Sequence, residues 1–280
     1  MSQQELAVRF RQLHVRGADP LLVLPNAWDA VTARVIEAAG ARAIATTSAG
    51  IAWALGYPDG QKIPRDAMLA QVALIVRTVG VPVTADVESG YGSGTPADAA
   101  ETARGVIAAG AVGLNLEDAP GRAGAPLVEA EVHAERIAAM RAVAREAGVE
   151  LFINARTDTY LRKVGADDAA RFDETVRRAR RYIEAGADGI FVPLAPAEQV
   201  GALAAAIDAP LNVIAGPGSP SIAQLRALGV SRVSLGPGLA RSVMAHVRRV
   251  STEVLGEGTY DALREQVSSP DANALMAARG

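Results

Sequence analysis

The stretch Ala108-Ala109-Gly110-Ala111-Val112-Gly113-Leu114-Asn115-Leu116-Glu117-Asp118 contains one complete joint of the fold. An alanine-rich helical run ends at Gly110, where a left-handed backbone can close the last turn without a Cβ clash. A short run follows, Val112–Glu117, largely apolar on both faces and ending in acid. A run of that length, bounded by turn residues, reads as a parallel strand covered on both sides.

The joint recurs at Gly40, Gly80, Gly148, Gly186 and Gly229. Strands are expected after these glycines at 43–47, 81–87, 151–156, 189–193 and 232–235, with two more at 21–25 and 210–215. Amphipathic helices with arginine-rich outer faces are expected at 29–39, 65–79, 96–109, 131–147, 167–185, 196–207, 221–228 and 237–255. Thr95-Pro96 and Ala195-Pro196 put proline in a first helical turn, where its missing N–H costs little. Strict alternation of strand and helix predicts a closed (β/α)8 TIM-type barrel over residues 1–257. A C-terminal helical extension, 258–280, needs a surface on its own barrel or on a neighbouring subunit. An open doubly wound sheet is the alternative, and no G-x-G-x-x-G follows the first strand to support it.

Composition narrows the chemistry. The 280 residues suit one barrel of about 250 residues plus an extension. A net charge of -3 gives no electrostatic case for a nucleic-acid partner. No apolar run approaches the roughly 18 residues of a membrane span, and the polar start is unlike an export signal, so the expected compartment is the cytoplasm. Cysteine is absent, which excludes disulfides, thiolate metal sites and a cysteine nucleophile. His14, His133 and His246 fall on helical or N-terminal segments, which argues against a histidine-ligated zinc. The lysines, Lys62 and Lys163, are not on strands, which argues against a Schiff-base aldolase.

In a barrel of this kind the active site forms at the C-terminal strand ends. There stand Asn26-Ala27-Trp28-Asp29, Thr47-Ser48-Ala49-Gly50 with Tyr57-Pro58-Asp59-Gly60 in the loop beyond, and Asp86-Val87-Glu88-Ser89-Gly90-Tyr91-Gly92. Asn115-Leu116-Glu117-Asp118 and Asn154-Ala155-Arg156-Thr157-Asp158 follow on the next strands. Asp59, Asp86, Glu88 and Glu117 thus converge on one mouth, and alternation aims Asp86 and Glu88 the same way if the strand persists. Crowded carboxylates repel unless protonated or neutralised, and a hard divalent cation with oxygen ligands is the simplest remedy. Capping of the following helices is the other use of such acids. Arg156 ends a buried strand, where its fork suits a substrate carboxylate or phosphonate, with a structural ion pair as the alternative. Ser48-Ala49-Gly50 offers small side chains and free N–H groups, as an oxyanion cradle requires. Gly216-Pro217-Gly218-Ser219 and Gly236-Pro237-Gly238 read as turns.

Taken together, Ser48-Ala49-Gly50, Gly56-Tyr57-Pro58-Asp59, Ala85 to Gly92, Asn115 to Asp118 and Ala155-Arg156 resemble the isocitrate lyase/phosphoenolpyruvate mutase superfamily, over about residues 20–255. The resemblance implies a Mg²⁺-dependent enzyme, with Mn²⁺ as a substitute, acting on a 2-oxo acid or dicarboxylate through a metal-stabilised enolpyruvate. It implies Asp86, Glu88 and Glu117 as metal ligands with Asp59 in support, and Ser48, Ala49, Gly50 and Arg156 at the substrate carboxylate. Trp28, Asp86 and Asn212 join the expected substrate shell, and Arg156, Asp59 and Tyr91 the expected catalytic set. It further implies a homotetramer, or a dimer, built by exchange of a C-terminal helix.

The loop after the fourth strand departs from that pattern. The superfamily's lyases carry Lys-Lys-Cys-Gly-His there. Here Asp118-Ala119-Pro120-Gly121-Arg122-Ala123-Gly124-Ala125-Pro126 has no Cys, His or Lys, while Gly121 and Gly124 could serve as hinges. Decarboxylation is therefore expected ahead of retro-aldol cleavage, because departing CO₂ needs no general acid. P–C bond chemistry, as a mutase or phosphonopyruvate hydrolase, is the second reading, and a catalytically silent 2-oxo-acid-binding barrel the third.

Overall fold

The computed structural model describes residues 1–16, 21–120 and 126–277. Its sheet is wholly parallel: β1 (Leu22–Leu24), β2 (Asn26–Ala27), β3 (Ile44–Thr46), β4 (Val83–Asp86), β5 (Gly113–Glu117), β6 (Phe152–Arg156), β7 (Gly189–Phe191), β8 (Leu211–Ile214) and β9 (Arg232–Ser234). β1 pairs with β9 and β2 with β3, and only Pro25 separates β1 from β2. Proline has no N–H to give a ladder, so one strand unit is written as two pieces that join both ends of the sheet. The expected (β/α)8 barrel is thereby closed.

Helix α1 (Gln3–Gln12) precedes the barrel, and α2 (Ala30–Ala38), α3 (Ser48–Ala54), α4 (Arg65–Val76), α5 (Pro96–Ala108), α6 (Ala130–Glu146), α7 (Asp168–Glu184), α8 (Ala197–Ala206), α9 (Ile222–Ala227) and α10 (Gly238–Gly256) alternate with the strands. Helix α11 (Ser269–Ala277) follows. The starts are set by local chemistry: Ser2, Asp29, Thr95 and Ser221 each form a reciprocal capping box. Outward strand residues such as Leu114, Leu116, Ile153 and Ala155 pack beneath the helices in the main core.

Three features differ from the reading of the sequence. The polar N-terminus is helical, and α1 carries Phe10, fully buried, into a floor cluster with Leu22, Leu24 and Phe152. Gly113 makes room for it, since a Cβ there would lie 2.8 Å from Phe10 Cε1. A helix, α3, occupies the start of what reads as a long loop after the second strand unit. The last barrel helix, α10, stands clear of the barrel, with Ala240 its one buried residue and Val243, Met244 and Val247 exposed. The extension folds back instead: Arg34 on α2 donates from Nε and Nη2 to the Leu275 carbonyl, at 3.1 and 3.0 Å. No helix among the described residues is long and apolar enough to cross a membrane.

If α1 is the barrel floor, Phe10→Ala should destabilise the fold by about 3–5 kcal/mol, the usual range for emptying a packed aromatic site. Urea unfolding followed by circular dichroism measures this; a midpoint unchanged from wild type would show that α1 is dispensable.

Candidate active site

The mouth is built outward from β4, β5 and β6. Asp86 ends β4, and its Oδ2 accepts from the Ser48 backbone N–H at 3.0 Å and from the Ser48 hydroxyl at 2.7 Å. Its own N–H donates to the Thr46 hydroxyl at 2.8 Å, so β3 and α3 fix it from both sides. The strand does not continue to Glu88. Glu88 adopts a left-handed backbone, φ 51°, as does Tyr91, φ 61°. Alternation therefore fails after Asp86, and the turn rather than the pleat brings Glu88 back among the acids. Gln61 holds that turn: its Oε1 accepts from the Tyr91 N–H at 2.9 Å, and its Nε2 donates to the Ser89 hydroxyl. The Tyr91 hydroxyl faces Glu88 Oε1 at 3.4 Å.

Arg156 ends β6 and is held by two acids. Nε and Nη2 donate to the two oxygens of Asp158, at 2.6 and 3.1 Å, and Nη1 meets Glu117 at 2.9 Å. Its side chain is 19% exposed, so one edge still reaches the mouth. Asp158 is in turn set by Asp118, whose Oδ1 accepts the Asp158 N–H at 2.9 Å. Oδ2 of Asp118 accepts from Thr157, Tyr182 and Arg178, at 2.8, 2.8 and 3.2 Å. These residues were hard to find in the sequence: Asp158 shows only its spacing of two from Arg156, and Arg178 is one of many helical arginines.

Burial pushes the Glu88 carboxyl up to about 7, and the charges of Asp86 and Asp59 add to the effect. Glu117 is also raised, by burial first, with Arg156 opposing and Asp158, Asp86 and Glu88 reinforcing. Tyr91 is pushed above the ordinary phenol range by burial and by Glu88, so its hydroxyl keeps its proton and acts as a hydrogen-bond donor.

The other expected residues fall as follows. Ser48, Ala49 and Gly50 form the first turn of α3 rather than an open loop. Two of their N–H groups are already occupied, that of Ser48 by Asp86 and that of Gly50 by the Thr47 hydroxyl at 3.4 Å, which corrects the expectation of a free cradle. Trp28 packs against this turn, since a Cβ on Gly50 would lie 2.9 Å from Trp28 Cβ. Asp59 is exposed, bonded to the Gly60 N–H at 2.9 Å, and acts on the cluster through its charge. Asn212 lies deeper, inside the barrel: Nδ2 donates to the Val213 carbonyl and the Ser234 hydroxyl, and Oδ1 accepts from Asn154. Gly121, Arg122 and Gly124 of the departing loop lie outside the described residues.

Among the described residues no three His, Cys, Asp or Glu side chains form a ready metal cage. The donors nevertheless suit a hard cation. They are all carboxylate oxygens, crowded, with Glu88 buried and Asp86 and Glu117 half-buried, and among the described residues Arg156 is the only cation bonded to them at the mouth. Mg²⁺ is commonly held by one or two carboxylates with waters completing the shell.

The profile of the phosphoenolpyruvate phosphomutase family matches residues 10–255. The chain belongs to that family. It is 38% identical to an uncharacterized protein of Mycobacterium tuberculosis (strain ATCC 25618 / H37Rv), over 81% of either chain. It is 32% identical to the 2-methylisocitrate lyase of Bacillus subtilis (strain 168), over 70% of this chain and 62% of that one. Among solved structures it superposes at TM-score 0.90 and 41% identity on a Burkholderia cenocepacia J2315 protein whose activity is named only as lyase/mutase, over 99% of this chain and 97% of that one.

The raised carboxyls have a consequence for stability. A folded pKa of about 7 against an ordinary 4.5 means the native state holds a Glu88 proton that the unfolded chain has lost. Glu88 thus destabilises the metal-free fold progressively as pH rises through that interval. In EDTA, Glu88→Gln should match wild type near about pH 4 and gain stability over it as pH approaches about 8. Paired thermal melts across that range would show it; a constant difference between the two proteins would contradict it.

Proposed function

We propose that this chain is a Mg²⁺-dependent lyase of the isocitrate lyase/phosphoenolpyruvate mutase superfamily that decarboxylates a 2-oxo diacid. The observation that carries the reading is the mouth itself: the Arg156 guanidinium and the Asp86, Glu88 and Glu117 carboxylates meet there, with no Cys in the chain and every His elsewhere. His14 follows α1, His133 is buried in α6 and His246 lies on α10.

Asp86 and Glu117 would hold the cation directly or through water, with Glu88 beside them. Bound Mg²⁺ supplies Lewis-acid stabilisation of the negative charge that develops on a 2-oxo acid's oxygens. The chain's own residues bind and orient. Arg156, its fork fixed by Asp158, presents its remaining N–H edge to the substrate carboxylate. Ser48 steadies Asp86, and Tyr91 donates to Glu88, so the acids keep their places as charge changes. In the reaction the bond between the distal carboxylate and C3 breaks, CO₂ leaves, and the electron pair passes to the enolate of the 2-oxo acid. C3 then takes a proton from solvent, so no loop acid is needed.

The kinship with 2-methylisocitrate lyase supports C–C bond chemistry, and the fold alone does not choose the bond. We also infer assembly into a homotetramer or dimer, by exchange of α10 rather than of the extension 258–280 expected from the sequence, because Val243, Met244 and Val247 of α10 are uncovered while the extension bonds to its own α2.

With a panel of 2-oxo diacids, CO₂ release should require Mg²⁺ or Mn²⁺ and vanish reversibly in EDTA. Asp86→Ala should abolish it while circular dichroism shows the barrel still folded. Glyoxylate release from isocitrate, or pyruvate release from 2-methylisocitrate, should be negligible, and rapid release of either would replace decarboxylation with retro-aldol cleavage. Arg156→Lys keeps the charge and loses the fork, so kcat/KM should fall by about 10² or more. A change within about twofold would remove Arg156 from the substrate site.

A further inference from the structure

Strand β9 brings an arginine into the barrel. Arg232 is fully buried, and its Nη2 donates to Asn115 Oδ1 at 3.1 Å. β9 neighbours β1 and β8 in the sheet, so a bond from it to β5 crosses the interior. Nε and Nη1 have no hydrogen-bond partner, and no carboxylate among the described residues forms an ion pair with this guanidinium. The acid whose charge acts on it is Asp86.

The surroundings fix its level. Asn115 Oδ1 also accepts from Asn154 at 2.9 Å, and Asn154 donates onward to Asn212 at 3.2 Å, giving a polar layer across β5, β6 and β8. Asn115 stands beside Asp86 in the β4–β5 register and two residues before Glu117, and Asn154 two before Arg156. Side chains two apart on a strand share a face, so this layer lies directly below the charged mouth. Below it is the apolar floor of Phe10 and Phe152. His14, stacked on Phe152 at 3.8 Å, is held neutral by burial and by the charge of Arg232. A buried cation without a contact partner is costly unless longer-range charge compensates it, and the compensating charge lies above.

We propose that Arg232 is the buried counter-charge of the mouth, a positioning residue that touches no ligand but offsets the carboxylates and supplies the positive potential by which an anionic ligand is accepted there. This rests on the reading that the mouth binds Mg²⁺ and a 2-oxo acid. A potential acts on a ligand in proportion to its charge, whereas lost packing does not distinguish a dianion from a monoanion.

The test is calorimetric titration of oxalate and of pyruvate into the full chain at saturating Mg²⁺. Arg232→Gln keeps a hydrogen bond to Asn115 and removes the charge. It should weaken pyruvate by about tenfold and oxalate by about a hundredfold, while Arg232→Lys restores most of both. Should Arg232→Gln fail to fold, Asn115→Asp carries the test, since it leaves an acceptor for Arg232 and Asn154 and neutralises the guanidinium in place; the same unequal losses are expected. Equal losses for the two ligands, no loss, or a lysine variant no better than the glutamine would overturn the proposal. Wild-type protein that binds neither ligand would overturn the 2-oxo-acid reading first, and this inference with it.

Discussion

Arg156 stands between Glu117 and Asp158, and the mouth is organised by that one guanidinium. Two acids this close inside a protein would repel if left alone, and each is held raised by burial. The arginine offsets both, and Asp118 then fixes Asp158 through its backbone. Asp118 is itself buried and made tolerable by Thr157, Tyr182 and Arg178. Removing one member of such a chain strands a buried charge, which generally costs about 3–5 kcal/mol. The clamp at the mouth is thus anchored as far out as helix α7, which carries Arg178 and Tyr182.

The barrel interior grades upward in polarity from that constraint. Phe10, Leu22, Leu24 and Phe152 form a dry floor. Above them the asparagines of β5, β6 and β8 satisfy one another, with Arg232 among them. The carboxylates come last, nearest the opening. This order follows from solvation: charge is least costly nearest the opening, and amides can be buried when they pair.

Family membership and the mouth's chemistry answer different questions. The shared profile covers nearly the whole barrel, and a 2-methylisocitrate lyase is among the relatives. Yet the loop after β5 has none of the acids those lyases are expected to use, and a barrel's reaction is decided by its loops rather than its strands. The strand ends carry Arg156 and the acids, while the loop lacks the Lys-Lys-Cys-Gly-His run of the lyases.

The sequence by itself determined the alternation. Glycine at the helix ends, short apolar strands and capping residues are local signals, and they placed the barrel elements to within a few residues of where they lie. Strand-end position likewise exposed Asp86, Glu88, Glu117 and Arg156, because in this fold the strand end is the mouth. Only the tertiary structure decided partners and direction. Strands buried on both faces carry no alternation to mark the interior, so nothing local set Asn212 and Arg232 inward. Helix α1 looked like a polar terminus because its buried face is only Ala7 and Phe10. Glu88 turns back through a left-handed residue held by Gln61 from another loop, and Arg156 meets Asp158 before any substrate. Each of these depends on groups distant in sequence or on a turn that breaks the local period, and such pairings exist only once the barrel has closed.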